Sequence, residues 1–93
     1  MKQFSEKEAV IEIQKLLFDE LCLGDRKVFE SPGEIPVDSK FSALGADSLA
    51  KIETLAKAQK VFGVELLDYW KSPVDSINEV MDSLKKAGAA ITA

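Results

Sequence analysis

The sequence contains no histidine among its 93 residues. This absence excludes the commonest general base, the serine triads that depend on imidazole, and metal sites with histidine ligands. The single cysteine, Cys22, excludes an internal disulfide and a multi-thiolate metal site. Because Cys22 follows an apolar stretch, we expect it to be buried as a small hydrophobe. We therefore predict neither catalytic residues nor a metal site in this chain.

Long hydrophobic runs and an excess of positive charge are also missing. No apolar run approaches the roughly 20 residues that cross a bilayer, and the N-terminus lacks the apolar stretch of a signal peptide. The formal net charge is −4 and the pI is near 4.8, which argues against a nucleic-acid binder. We expect a cytoplasmic monomer that binds protein partners and does not insert into membranes.

The sequence does contain enough apolar residues for one small α-helical domain. Hydrophobic residues make up 46% of the chain and recur at helical spacings of three and four. We expect an all-α fold, a small four-helix bundle with three longer helices, one short helix and a long first loop. Residues 1–93 should form a single domain, in which about 88–93 make a flexible tail.

The first helix is predicted over about residues 5–22, ending near Gly24. It begins with a capping box at Ser5-Glu6-Lys7-Glu8. Residues 23–46 hold no helical or strand period and are predicted to be a long loop. A loop of this length is usually functional or held by its own side chains. The side chains expected to hold it are Val28, Phe29, Ile35, Val37, Phe41 and Leu44.

The second helix is predicted from Asp47 or Ser48 to about Phe62, where a glycine follows. One face is apolar and the other carries an i, i+4 ion pair between Glu53 and Lys57. We expect this helix to be amphipathic, with one face on the core.

Two further helical segments are predicted after the second helix. Residues 64–70 are rich in apolar residues but too few for a long helix, which favours a single turn or a short third helix. Ser72-Pro73 then provides an N-cap and a proline at the first helical position of a last helix that ends near Lys86.

The chemically informative stretch is Leu44-Gly45-Ala46-Asp47-Ser48-Leu49, where the long loop meets the second helix. It places a serine hydroxyl at a helix N-terminus, beside a carboxylate and in front of backbone N–H groups that favour an anion. Covalent phosphate chemistry on Ser48 would be electrostatically favourable there. The spacing alone leaves open that Asp47 and Ser48 only cap the helix.

This motif resembles the attachment motif of acyl carrier proteins, in which the serine is esterified by 4′-phosphopantetheine. The resemblance covers about residues 8–84. It implies that Ser48 is the acceptor, that Asp47 is its motif neighbour and that the chain is a carrier, not an enzyme. Such a carrier holds acyl groups as thioesters and delivers them to enzymes of fatty-acid, lipid or polyketide-type biosynthesis.

The resemblance also implies partners and the surfaces that contact them. The expected partners are a phosphopantetheinyl transferase, an acyl-loading ligase or synthase, and acyltransferases. Leu49 resembles the exposed apolar residue that such enzymes contact, although core packing explains it equally well. The expected docking residues are Leu49, Lys51, Glu53, Lys57 and Lys60. The expected acyl-pocket residues, which are also ordinary core positions, are Ile52, Leu55, Phe62, Leu66 and Ile77.

Two features depart from the family pattern. Typical fatty-acid carriers have a strongly acidic second helix, whereas residues 48–62 hold one acid and three lysines, for a local charge of +2. This difference favours a specialised carrier that serves a dedicated ligase or transferase. The first loop, around 29–34, is also about six residues longer than usual, which is either a partner-specific surface or a tolerated insertion.

Other functional classes stay open at this level. A peptidyl or D-alanyl carrier shares the serine motif and the bundle, although Gly-Ala before Asp-Ser favours an acyl carrier. A helical interaction module without modification is the alternative from a different class. A serine hydrolase is excluded because the chain has neither histidine nor a Gly-x-Ser-x-Gly elbow.

Overall fold

A computed structural model describes residues 3–65 and 74–92 of the chain. The predicted short third helix, Leu66 and the pair Ser72-Pro73 fall largely or wholly outside these residues. The described residues contain three α-helices, so the fold is mostly helical and the four-helix bundle stays a prediction. The elements are β1 (Phe4–Ser5), α1 (Glu6–Glu20), two 3₁₀ turns (Pro32–Glu34 and Ser42–Leu44), α2 (Ser48–Phe62), α3 (Ile77–Lys86) and β2 (Ile91–Thr92).

The start of α1 confirms the predicted capping box. The Glu8 backbone N–H donates to Ser5 Oγ at 3.1 Å, and the Ser5 N–H donates to Glu8 Oε1 at 3.0 Å. Two backbone donors that the helix itself leaves unpaired are therefore satisfied reciprocally.

The end of α1 differs from its prediction, because the helix stops at Glu20 and not at residue 22. Cys22 follows with a left-handed φ of 52°, and the Leu23 N–H donates to the Phe18 carbonyl at 3.1 Å. This is a Schellman-type ending, in which a residue other than glycine takes the left-handed position. The predicted burial of Cys22 is wrong: the thiol is exposed because the residue lies past the helix end, while Leu23 enters the core.

Hydrogen bonds to backbone atoms of the long loop hold it to the segments around it. The buried Gln14 side chain donates from Nε2 to the Ile35 carbonyl at 2.9 Å. The Phe41 N–H donates to the Asp75 carbonyl at 2.7 Å, and the Asn78 N–H donates to the carbonyl of residue 37 at 3.0 Å. The loop is thus fixed against α1 on one side and against the start of α3 on the other.

Side-chain burial in the loop follows the prediction with one exception. Ile35, Phe41 and Leu44 are buried, and Phe29 and Val37 pack partly against the core. Val28 was also expected to hold the loop, but it is 42% exposed. It lines a surface cleft with Phe29 and the flanking charged residues, so its side chain contributes to the surface of the loop.

The boundaries of α2 agree with the prediction, whereas the start of α3 does not. Asp47 caps α2, and Gly63 ends it with a φ of 69°. The last helix begins at Ile77 behind the cap Ser76, whose Oγ accepts from the Glu79 N–H at 3.3 Å. Residues 74–76 are non-helical, and Asp75 within them accepts hydrogen bonds from Phe41 and Ser42 of the loop.

The two ends of the described chain meet in a short parallel pair, which the all-α prediction did not include. Phe4 is in register with Ile91, and the Phe4 N–H donates to the Ala90 carbonyl at 2.9 Å. We expected residues 88–93 to have no anchor, but residues 90–92 are held by this pairing and by the partly buried Ile91.

One hydrophobic core joins all three helices, the loop and β1. Phe4 and Phe62 meet across it with ring centroids 4.8 Å apart. Within the described residues, no helix combines the length and apolar character required to cross a bilayer. The core residues are Phe4, Ala9, Ile13, Leu17, Leu21, Leu23, Ile35, Phe41, Leu44, Leu55, Ala58, Phe62, Val74, Ile77, Val80, Met81 and Leu84.

Candidate functional site

The 3₁₀ turn Ser42–Leu44 precedes the N-terminus of α2. Gly45 ends this turn with a left-handed φ of 94°, and its N–H donates to the Ser42 carbonyl at 3.1 Å. The Ala46 N–H donates to the Phe41 carbonyl at 3.0 Å. These bonds fix the backbone up to the residue before Asp47, so the start of α2 has a defined position.

Asp47 and Ser48 have different local roles at the head of α2. Asp47 is the N-cap, and its Oδ1 accepts from the Ala50 N–H at 2.8 Å. Ser48 is the first helical residue, and its side chain is exposed. The carboxylate therefore supplies the cap, which leaves the serine hydroxyl accessible to solvent and to a partner enzyme.

The surroundings of Ser48 suit a phosphodiester. The N-terminus of a helix carries a partial positive charge that attracts anions, and Ser48 lies in that first turn. Lys51, the charged residue within 48–51, is paired with Asp75, so the helix terminus itself is the main source of this positive potential. A phosphate on Ser48 Oγ would thus meet the positive end of α2 and project into solvent, so the residues present fit a 4′-phosphopantetheine group.

Leu49, the next residue, projects outward. Its side chain is 63% exposed, which is large for a leucine. Of the two interpretations left open by the sequence, core packing is therefore wrong. The exposed leucine next to Ser48 is available for contact with a partner.

Arg26 belongs to this site, and the sequence analysis did not identify it. Its Nη1 donates to the Leu44 carbonyl at 3.0 Å and to the Leu21 carbonyl at 3.2 Å. The end of α1 is thereby joined to the residue before Gly45. A signal was present in the sequence: the last turn of α1 has no basic residue, and a cation just past a helix C-terminus interacts favourably with its free carbonyls.

Two of the three predicted docking lysines on α2 are engaged in ion pairs with other elements. Lys51 Nζ lies 3.6 Å from Asp75 Oδ1, and Lys57 Nζ lies 2.5 Å from Glu20 Oε2. Lys60 is exposed. The local charge of +2 therefore overstates the positive surface of α2, since acids from neighbouring elements neutralise much of it.

The carboxyl groups of Glu53 and Glu20 lie next to each other beside Lys57, and the ion pair of Lys57 is formed with Glu20 and not with the predicted partner Glu53. The hydrogen bond to Glu20 and repulsion by its charge raise the pKa of Glu53. Hydrogen bonds from Glu53 and from Lys57 lower the pKa of Glu20, and the bond to Glu20 raises the pKa of Lys57. Glu53 is exposed, but its carboxyl group is directed toward α1.

The predicted acyl-pocket residues differ in burial. Leu55 and Ile77 have no exposed surface, and Phe62 is 4% exposed in its contact with Phe4. Ile52 is half-buried. Leu66 lies outside the described residues, so three of the predicted residues belong to the core and one is half-buried.

Comparisons with known proteins agree with the motif. The family model described as a phosphopantetheine attachment site matches residues 26–68, a range that begins at Arg26 and includes Ser48. A curated protein, the acyl carrier protein of Rickettsia bellii (strain RML369-C), is 35% identical over 54 residues. The match covers 57% of this chain and 63% of that protein, so the chain spans less than two thirds of the relative's length. No solved structure matches.

Proposed function

We propose that this chain contains a carrier domain of the acyl carrier protein family, to which it is similar over residues 26–68, and that Ser48 is the residue on which it bears its prosthetic group. Domains of this kind carry a covalently attached 4′-phosphopantetheine and are not themselves enzymes. The observation that carries the proposal is the exposed Ser48 hydroxyl at the head of α2, inside the matched range 26–68.

The chain itself supplies position and charge, while its partner supplies the chemistry of attachment. A serine hydroxyl is a weak nucleophile unless a base activates it, and this sequence has no histidine to do so. The base therefore belongs to a phosphopantetheinyl transferase. When bound, the phosphopantetheine arm supplies a terminal thiol that holds an acyl group as a thioester.

The partner surface that we propose includes Leu49, the most exposed large apolar side chain described on α2, and the exposed basic side chain of Lys60. Docking of a carrier must be reversible, so a small interface is expected. Because Lys51 and Lys57 are paired with acids, electrostatic steering by α2 is weaker than in a carrier with an acidic stripe. This supports a specialised carrier that is loaded by a dedicated ligase or transferase and delivers its cargo to acyltransferases.

The proposed cargo is an acyl group for fatty-acid, lipid or polyketide-type biosynthesis, handled in the cytoplasm. Each buried methylene gains roughly 0.8 kcal/mol, so an acyl chain is stabilised wherever it reaches apolar surface. Half-buried Ile52 is the proposed entrance, with Leu55 and Ile77 behind it in the core. The specialised role would be contradicted if an ordinary bacterial fatty acid synthase loaded and elongated this chain as fast as it does a typical carrier.

Attachment is tested by incubating the protein with coenzyme A, magnesium and a broad-range phosphopantetheinyl transferase, followed by intact-mass measurement. We expect a gain of about 340 Da, the mass of one phosphopantetheine group. The gain should vanish in Ser48→Ala and persist in Ser31→Ala, which removes another exposed hydroxyl within the matched range. No gain in the wild-type chain would favour an unmodified helical interaction module.

The alternative cargo is an amino acid or peptide, as on peptidyl or D-alanyl carriers. Both carriers would give the same mass gain, so the discriminating step is loading. The phosphopantetheine-bearing protein is incubated with acyl coenzyme A or with aminoacyl coenzyme A and the matching transferase, and its intact mass is measured. We expect it to be loaded with the acyl group. Loading with aminoacyl groups alone would assign the chain to the peptidyl or D-alanyl carriers.

A further inference from the structure

We infer that Arg26 is a positioning residue that holds the attachment loop, residues 44–48, in the geometry that presents Ser48 to the modifying enzyme. The inference rests on the proposed role of Ser48 and deepens it, because it assigns a second residue, distant in sequence, to the efficiency of that site. Neither the attachment motif nor its neighbours on α2 contain Arg26.

The Arg26 side chain connects the C-terminal end of α1 to the C-terminal end of the 3₁₀ turn before α2. Its Nη1 donates to the carbonyl of Leu21, the C-cap of α1, and to the carbonyl of Leu44, the last residue of the 3₁₀ turn. Carbonyls at a helix C-terminus have no partner within the helix and carry partial negative charge. Hydrogen bonds from a charged guanidinium to such groups are stronger than neutral ones. Arg26 therefore fixes the Leu44 carbonyl to the end of a stable helix.

Gly45 fits this arrangement because the guanidinium lies against its Cα. A Cβ atom built on Gly45 would be 2.9 Å from Arg26 Nη2 and 3.1 Å from Nη1. The left-handed φ of 94° also disfavours a side chain at this position. The loop and the arginine are thus matched in both backbone conformation and space.

The position of Leu44 is transmitted to Ser48 over a short, hydrogen-bonded path. Three residues separate Leu44 and Ser48, and the Ala46 N–H is bonded to the Phe41 carbonyl at 3.0 Å. Asp75 holds the other end of the same turn, because its Oδ1 accepts from the Ser42 N–H at 3.4 Å. Without Arg26, the C-terminal end of the turn loses the bond that joins it to α1.

If the attachment loop is poorly held, phosphopantetheine transfer to Ser48 should slow, while binding of the transferase should change little. Misplacing a reacting group by about 1 Å costs up to about 100-fold in rate, because reaction requires aligned atoms. The proposed docking residues Leu49 and Lys60 lie on α2 itself, past the loop. We therefore expect loss of Arg26 to lower kcat for phosphopantetheine transfer and to leave KM for the carrier nearly unchanged.

The experiment compares transfer kinetics of the 93-residue wild-type chain with those of Arg26→Gln, Arg26→Lys and the matched control Lys27→Gln. We expect kcat to fall about 10-fold in Arg26→Gln, with KM within about twofold. Arg26→Lys should recover part of the loss, since an ammonium keeps the charge but not the planar fork of donors. Lys27→Gln removes the neighbouring positive charge, which lines the surface cleft beside Val28, and should behave like wild type.

A second measurement is independent of the transferase: amide hydrogen exchange of Gly45 and Ala46 in the unmodified protein. Arg26→Gln should speed exchange at both amides, while Val80, whose N–H is bonded to the Ser76 carbonyl in α3, should keep its protection. A change in KM alone would assign Arg26 to transferase contact and overturn the inference. Unchanged exchange at residues 45 and 46, or equal loss at Val80, would overturn it as well.

The two proposals can fail separately. If the wild-type chain gains no mass with any transferase, the role of Ser48 is wrong, and the exchange experiment still decides whether Arg26 holds the loop. If the wild-type chain is modified and Arg26→Gln is modified equally fast, the role of Ser48 stands and the inference about Arg26 falls.

Discussion

At the residue scale, three neighbouring side chains at the start of α2 have different roles. Asp47 caps α2 with its carboxylate, which frees Ser48 to point its hydroxyl into solvent. Leu49 then exposes an apolar side chain one position further along. Three consecutive residues thus supply the helix cap, the proposed phosphopantetheine acceptor and a proposed contact surface for partner enzymes.

The carboxyl pair Glu20–Glu53 gives a prediction with a defined pH dependence. Because Glu53 has a pKa raised above its unfolded value, folding favours its protonated form, and the linked stability is lost as pH rises through the folded pKa. Glu53→Gln mimics the protonated group. We expect this variant to be more stable than wild type at pH 7, with the difference shrinking as pH falls to about 4 and below.

Urea unfolding of Glu53→Gln and wild type at both pH values measures this difference. Glu65→Gln, which removes an exposed acid just beyond α2, is the control and should show no such pH-dependent gain. A Glu53→Gln protein that is less stable than wild type at pH 7 would mean that the two carboxylates do not oppose each other.

Residue identity predicted the local features of this site but not the contacts between distant segments. The attachment motif, the cap Asp47 and the accessible Ser48 all follow from adjacent residues. Arg26 was missed because its two acceptors, Leu21 and Leu44, are backbone carbonyls that only the folded chain brings together. The ion pair of Lys57 with Glu20 was missed for the same reason, since the sequence suggested Glu53 as its partner.

At the element scale, helix starts and stops were predictable where the signal was local. The Ser5 capping box and the Asp47 and Gly63 ends of α2 depend on side chains within a few residues. The start of α3 depends instead on the loop, because Asp75 accepts from Phe41 and keeps the segment before Ser76 non-helical. The sequence signal at Ser72-Pro73 predicted an earlier start than the observed one at Ile77.

The turn before α2 gives the second prediction. Gly45→Ala places a Cβ at a positive φ and against the Arg26 guanidinium, so we expect the free energy of unfolding to fall by about 2 kcal/mol. Gly63→Ala is the matched control, because Gly63 also has a positive φ, of 69°, while its Cβ would meet open space. Chemical denaturation of the two variants checks this, and equal stabilities would show that the Arg26–Gly45 fit carries no energetic weight.

At the scale of the whole molecule, contacts between distant segments close the fold. The chain ends meet in the Phe4–Ile91 register, and Lys85 of α3 forms an ion pair with Glu6 of α1. The sequence gives little indication of the strand pair, because two-residue strands have no detectable period. The core itself was predictable, since helical spacing already selected residues such as Leu55 and Ile77.

The C-terminal residues give a prediction for the whole chain. Deleting residues 90–93 removes the Phe4–Ala90 hydrogen bond and the partly buried Ile91. We expect the free energy of unfolding to fall by about 2 kcal/mol, about half from the bond and half from apolar burial. A chain shortened by Ala93 alone is the control. Unchanged stability of the longer deletion would restore the original prediction of an unanchored tail.

The most direct test of the carrier function is to locate the modification within the chain. Trypsin cleavage after Lys40 and Lys51 releases a peptide with two serines, Ser42 and Ser48. After incubation with coenzyme A and a phosphopantetheinyl transferase, we predict that this peptide gains about 340 Da and that its fragment ions place the addition on Ser48. An addition on Ser42, an addition on another peptide, or an unmodified peptide would contradict the assignment.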